Sequence, residues 1–229
     1  VSRFENPIVL ATRPRAFSEA FLIALQGEAG AFRGLIAPAF ECASTGAPIP
    51  PFDVAIFTSR AGVAMAPEGA GRQAFCVGDA TAQAAEARGY RAISASGSAV
   101  DLIPLILDQA PNGRLLHVRG ETAAAEAARI LTEAGLPAFE VIAYRKEPCA
   151  PDAAALVALQ DEEALILPLF SAETVSILAE WPCSFQRCHA VAISETVADA
   201  AAQLSPAGIA VSDSMTQEGT IRAVARLIA

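Results

Sequence analysis

Short apolar runs recur along the chain, each ending at a hydroxyl, glycine or arginine position and followed by residues at helical spacing. Ile8 to Ala11 ends in Thr12-Arg13-Pro14, and Phe17 to Leu25 then carries apolar residues at helical intervals before Gly27 and Gly30. Strand, loop and helix are predicted. Leu35 to Phe40 is extended and broken by Pro38, and Ser44 to Pro51 has the composition of a turn-rich linker. Val54 to Phe57 reads as a buried strand, with Thr58-Ser59-Arg60 heading a short helix through Ala64. Phe75-Cys76-Val77 then meets Gly78, and Asp79 and Thr81 head an alanine-rich helix that Gly89 closes. A brief strand at Arg91 to Ser94 precedes a helix from Ser98 to Leu107, with Val100, Leu102, Ile103 and Ile106 on its apolar side.

After the turn at Asn112-Gly113 the pattern begins again. Leu115 to Val118 is a strand ending at Arg119-Gly120, Thr122 to Ala134 a helix stopped by Gly135, and Phe139 to Tyr144 an extended run. EAGAFRGLIA from Glu28 matches EAGLPAFEVIA from Glu133, and Arg13 and Arg119 fall at corresponding points after their strands. Beyond Arg145-Lys146-Glu147-Pro148, a helix from Asp152 to Leu159 leads to the strand Leu165-Ile166-Leu167. Phe170-Ser171-Ala172-Glu173-Thr174-Val175 opens a helix as Thr58-Ser59-Arg60-Ala61-Gly62-Val63 did, and Ala190 to Gln203 repeats the stretch from Phe75 to Tyr90. Ile209 to Val211 is a last strand and Thr216 to Ile228 a last helix.

The chain is therefore read as a tandem duplication in which strands alternate with helices. Such alternation requires parallel sheets covered on both faces. The expected class is α/β, with two doubly wound, flavodoxin-like lobes. Ligands of open parallel sheets bind beyond the carboxyl ends of the strands, so the cleft between lobes is the expected site.

Composition narrows the function. With 53% hydrophobic and 18% charged residues the chain is globular, and no apolar run reaches the length of a membrane span. The N-terminal stretch lacks the pattern of an export signal, and Cys42, Cys76, Cys149, Cys183 and Cys188 are odd in number and scattered, as expected of reduced thiols in the cytoplasm. A net charge of −9 argues against nucleic acid and anionic membranes as partners. Lys146 is the only lysine. Arginine suits carboxylate pairing, although GC-rich coding explains the same preference.

Several chemistries lack their motifs. There is no Walker loop, no GxGxxG after a strand and no GxSxG elbow. Cys183 with Cys188-His189 lacks a fourth ligand, so no metal is expected, and His117 inside a strand reads as a packed histidine. What remains is hydroxyls and free amides at strand-to-helix turns: Thr12-Arg13, Thr58-Ser59-Arg60, Gly78 to Thr81, Phe170-Ser171-Ala172 and Ser194-Glu195-Thr196. Singly each is an ordinary helix cap; together they suit a ligand rich in carboxylates.

The ordered series VLATRP (Val9 to Pro14), FDVAIFTSRAGV (Phe52 to Val63), FCVGDATAQAAEARGY (Phe75 to Tyr90), EVIAYR (Glu140 to Arg145) and FSAETV (Phe170 to Val175) resembles uroporphyrinogen-III synthases. The resemblance implies two α/β lobes joined by a two-stranded linker: residues 1–36 with 147–229 form one lobe, 37–146 the other, and the linker strands lie near 35–40 and 141–146. It also implies a monomeric enzyme that converts hydroxymethylbilane, a linear tetrapyrrole polycarboxylate, to uroporphyrinogen III with no cofactor. Tyr144 matches the family's tyrosine and is the candidate donor to the leaving hydroxyl. Thr81 matches its threonine, expected to bind a carboxylate or orient the leaving water. Thr12, Arg13, Ser59, Arg60, Gly78, Ser171, Ala172, Ser194 and Thr196 are the expected substrate contacts.

The second copy departs from this pattern. Aligned on Gly78 to Thr81, it has Ser194 at the glycine and Val197 at the threonine, with Thr196 one residue early. Either the turn is shifted and Thr196 serves instead, or this lobe binds through Ser194 and amides alone. Arg119-Gly120 likewise lacks the Thr-Arg-Pro of the first copy. A non-catalytic two-lobed binding protein for an anionic small molecule is the competing reading.

Overall fold

The computed structural model describes residues 4, 6–96, 99–122, 126–161 and 164–228. In chain order the elements are β1 (Ile8–Ala11), α1 (Arg15–Gln26), β2 (Arg33–Ile36), β3 (Phe40–Ser44), β4 (Val54–Phe57), α2 (Arg60–Met65), β5 (Gln73–Cys76), α3 (Asp79–Ala87), β6 (Arg91–Ser94) and α4 (Ala99–Gln109). There follow β7 (Leu115–Gly120), α5 (Glu126–Glu133), β8 (Ala138–Pro148), α6 (Ala153–Asp161), β9 (Leu165–Leu169), α7 (Ala172–Ala179), β10 (Cys188–Ala192), α8 (Glu195–Ala201), β11 (Gly208–Val211) and α9 (Gln217–Ile228).

These residues divide into two units, Val1–Glu41 with Glu147–Ala229, and Cys42–Lys146. The chain leaves the first unit within β3 and returns within β8. Those two strands pair with each other, and the bonds from Thr45 N–H to the Ala143 carbonyl and from Cys149 N–H to the Ala39 carbonyl make the pairing antiparallel. Leu35 and Ile36, expected in a linker, complete β2 beside Leu10 and Ala11 of β1.

The first unit holds a sheet of order β2-β1-β9-β10-β11; the second has β8-β7-β4-β5-β6, with β3 added outside β8. Apart from β3 the strands within each sheet run parallel. The first has the flavodoxin-like order 2-1-3-4-5, and the second matches it position by position with its chain order permuted. The copies have exchanged halves, however: each sheet takes two strands from one copy and three from the other. In each, the strand order reverses where the halves meet, between β1 and β9 and between β7 and β4.

Alternation along the strands explains the double winding. In the second unit Ala55, Phe57, Ala74, Cys76, Leu116 and Val118 point to one face, where Val63 of α2 and Ala82 and Ala85 of α3 cover them. Val54, Ile56, Phe75 and Leu115 point to the other, against Leu102 and Ile106 of α4 and Leu131 of α5. In the first unit, Val9, Ala11, Ile166 and Val191 pack on Phe21, Leu22 and Leu25 of α1 and on Val224 of α9.

One expected core position is corrected. Val100 is 80% exposed whereas Leu102 and Ile106 are buried, because residues two apart stand on nearly opposite sides of a helix. Ser98 and Ala123 to Ala125, parts of expected helices, lie outside the described residues. No helix among the described residues is long and apolar enough to cross a membrane.

Candidate active site

Because the strands of each unit are parallel, their following turns collect at one sheet edge. In the first unit these are Thr12 and Arg13 after β1, Ser171 and Ala172 after β9, and Ser194 to Thr196 after β10. In the second they are Ser59 and Arg60 after β4 and Gly78 to Thr81 after β5, with Tyr144 opposite Gly120 at the end of β7.

The turns are duplicated in detail. Ser59 and Ser171 have nearly the same extended backbone (φ −156°, ψ 156° and φ −158°, ψ 149°), and each side chain accepts the N–H three residues on, from Gly62 and Thr174. These are helix caps, as their residue types favour. Gly78 and Ser194 form a second matched pair (φ −145°, ψ 167° and φ −154°, ψ 165°). Thr81 N–H and Val197 N–H reach the carbonyls of Gly78 and Ser194 at 3.0 and 3.1 Å, so the two turns are in register rather than shifted. Thr81 and Val197 are both buried, while Thr196 stands exposed one position earlier. Valine replaces threonine at a position that faces the interior in both copies.

Thr12 is buried and its Oγ1 has no hydrogen-bond partner among the described residues; its carbonyl accepts from Ala39 N–H at 2.9 Å. Arg13 donates to Gln217 Oε1 at 2.9 Å and lies over the Phe170 ring at 4.3 Å. Its counterpart Arg119 makes two bonds to Glu140, at 3.1 and 2.8 Å, and another to the Gly120 carbonyl. A bidentate pair of this kind holds the guanidinium in the protein. Half-burial depresses the Arg60 pKa.

Tyr144 is held at both its ring and its hydroxyl. Its hydroxyl lies 2.8 Å from Ser59 Oγ, and that oxygen accepts from Gly62 N–H at 3.1 Å. Pairing between β7 and β8 shifts at this point: Arg119 faces Ile142, but Gly120 faces Tyr144. The extra residue is a bulge, which re-aims the side chains beyond it. Val141 and Ala143 pack toward α2, and the bulge brings Tyr144 to that side as well. Its ring fills the space beside Gly120, where an added Cβ would stand 2.7 Å from Tyr144 Cε2 and Cζ. Gly120 and the bulge escaped the sequence reading. The signal was present in the departure from the first copy, where proline follows the arginine.

Beneath this edge, His117 is buried in β7 with Nε2 3.3 Å from Thr58 Oγ1 and Nδ1 unpartnered among the described residues. Burial, aided by Arg119, pushes its pKa down to about 4. Burial pushes the Cys76 and Cys188 thiols up to about 12, away from thiolate chemistry. No group of three or more His, Cys, Asp or Glu residues among those described is placed to hold a metal ion.

The family model described as uroporphyrinogen-III synthase HemD matches residues 28–222. The chain belongs to the uroporphyrinogen-III synthase family. It is accordingly an enzyme, a cyclase of haem biosynthesis, and the reading as a non-catalytic binding protein falls away. The fold agrees with that of the uroporphyrinogen-III synthetase of Helicobacter pylori 26695, at TM-score 0.63 and 14% identity over 96% of this chain and 98% of that one. A mutant uroporphyrinogen III synthase of the extremely thermophilic bacterium Thermus thermophilus matches at TM-score 0.46 and 21% identity, over 93% of this chain and 95% of the other. No curated protein matches the sequence significantly.

Proposed function

We propose that the enzyme converts hydroxymethylbilane to uroporphyrinogen III, losing water and inverting ring D, with Tyr144 as the proton donor to the leaving hydroxyl. The observation that carries this reading is the double constraint on Tyr144, whose ring rests against Gly120 and whose oxygen lies 2.8 Å from Ser59. A general acid acts from a fixed position, and this phenol has one.

Loss of the hydroxyl leaves an azafulvene cation on ring A. Ring D attacks it through its substituted carbon, and the spiro intermediate fragments and recloses with ring D inverted. Free bilane closes without inversion, so the protein must also hold the chain folded. Arg13, Arg60, Gly78, Ala172, Ser194 and Thr196 supply guanidinium groups, amides and hydroxyls at the carboxyl edges of the two sheets for the substrate's carboxylates. Thr12 adds a hydroxyl at the β1/β9 reversal, where open parallel sheets receive ligands. Thr81 is largely buried, so the neighbouring amides carry most of that turn's contribution. We take the enzyme to be a cytoplasmic monomer, in keeping with cysteines that form no disulfide among the described residues and with a complete set of candidate groups in one chain.

The test is incubation with freshly prepared hydroxymethylbilane and chromatographic separation of the oxidised isomers. Isomer III is expected to form faster than spontaneous closure. Isomer I alone, at the spontaneous rate, would refute the substrate assignment.

A further inference from the structure

We infer that Ser59 is a positioning residue for Tyr144: its hydroxyl donates to the phenol oxygen and leaves the phenol's own proton directed outward to the leaving group. The inference rests on the reading of Tyr144 as the acid.

Among the described residues Ser59 Oγ has two partners, the Gly62 N–H at 3.1 Å and Tyr144 Oη at 2.8 Å. Each hydroxyl carries one proton and can accept as well as donate. Were the phenol to donate to Ser59, its only proton would be directed at the serine and away from any leaving group, so a phenol that serves as the acid must accept from Ser59. With Ser59 as donor every proton has a direction: Gly62 N–H to Ser59 Oγ, Ser59 O–H to Tyr144 Oη, and the phenol O–H outward. Successive bonds of this kind strengthen one another. The bond to Oη also strengthens as the phenol gives up its proton, because a charged acceptor binds a donor more tightly than a neutral one. The contact therefore favours the transition state over the ground state.

The backbone locks this relay. A Cβ on Gly62 would stand 2.5 Å from the Val118 carbonyl oxygen, so glycine alone lets α2 lie close against β7. The bulge opposite Gly120 then brings Tyr144 to the capping serine. In the reaction the C–O bond of the hydroxymethyl group breaks with its electron pair on oxygen, and the phenol proton completes the water. The proton released when the reclosed pyrrole regains aromaticity restores the phenol.

The test compares Ser59→Asp, Ser59→Ala, Ser59→Thr and Tyr144→Phe by steady-state turnover of hydroxymethylbilane and by denaturant unfolding. Aspartate still caps α2 but accepts the phenol's proton instead of donating one. Ser59→Asp is expected to unfold like the wild type yet lose roughly 10- to 100-fold in kcat with KM unchanged, with Ser59→Ala losing a similar factor. Ser59→Thr, which keeps cap and donor, recovers most of the rate. Wild-type kcat in Ser59→Asp beside a slowed Tyr144→Phe overturns the inference alone, as does a raised KM at constant kcat. Wild-type turnover in Tyr144→Phe overturns the acid assignment and the role of Ser59 with it.

Discussion

Tyr144 lies across the strand pair from Gly120 with its ring where a Gly120 side chain would begin. The glycine thus acts as the seat of the aromatic ring. Gly120→Ala forces the ring or β7 to move, and an overpacked core position costs about 1–3 kcal/mol. Displacing the hydroxyl by about 1 Å is expected to lower turnover on the order of 100-fold, because acid catalysis depends on position. Denaturant melts with the isomer assay check both effects; a stable, fully active Gly120→Ala enzyme would contradict them.

Tyr144→Phe leaves the ring's packing intact and removes only the hydroxyl. A fall in kcat exceeding any loss in affinity for the product is expected, and product binding by calorimetry beside turnover separates the two. Equal losses would make the phenol a binding group.

Glu140 answers the buried Arg119 charge, with side-chain exposures of 31% and 6%. Its carboxyl is held below the ordinary range chiefly by the hydrogen bonds from Arg119. A carboxyl depressed in the folded state adds stability that is present above its unfolded pKa and is lost as pH falls through the folded value. Glu140→Gln is expected to lose about 2–3 kcal/mol at pH 7, less than a fully buried partner would, because Glu140 is partly exposed. The difference from wild type should shrink as pH falls below the ordinary glutamate range and through the depressed folded value. Urea melts from pH 7 to pH 3 measure it, and a constant difference would argue against the ion pair as its source.

His117 predicts a separate acid window. Its pKa is depressed to about 4, so the neutral ring belongs to the folded state and protonation favours unfolding. The stability lost between about pH 6.5 and pH 4 amounts to about 3 kcal/mol. His117→Leu should flatten that part of the profile and leave the carboxylate-dependent part below it. An unchanged profile would show that His117 is not the titrating group.

Thr81→Val copies the residue that the second turn carries at Val197. With both positions buried and the amides unchanged, turnover should fall by no more than about tenfold and the fold should persist. A loss comparable to that of Tyr144→Phe would give the Thr81 hydroxyl a direct part in the reaction.

The layers were legible because strand and helix periods are local. Val54 to Phe57 announces a strand and Ser59 its helix cap without reference to any other segment. Val100 misled because an apolar residue in an apolar helix need not face inward, and only the packed sheet decides which side is covered. Tyr144 was identified, but not how it is held. Its bulge depends on β7 and its bond on α2, elements that contribute no signal to the sequence near residue 144. Gly120 was visible as a departure from the repeat and gained its meaning only from the ring beside it.

The exchange of halves between the copies sets an order of assembly. All parallel strands of the second unit, β4 to β8, are contiguous in the chain, whereas Ile8 of β1 must wait for Leu165 of β9. Synthesis delivers β1, α1 and β2 before the second unit, yet their sheet lacks its central neighbour until β9 has been made. Strands made before the second unit are thus among the last to find their places. Pulsed hydrogen exchange during refolding should protect β4 and β7 before β1, and simultaneous protection would exclude that order.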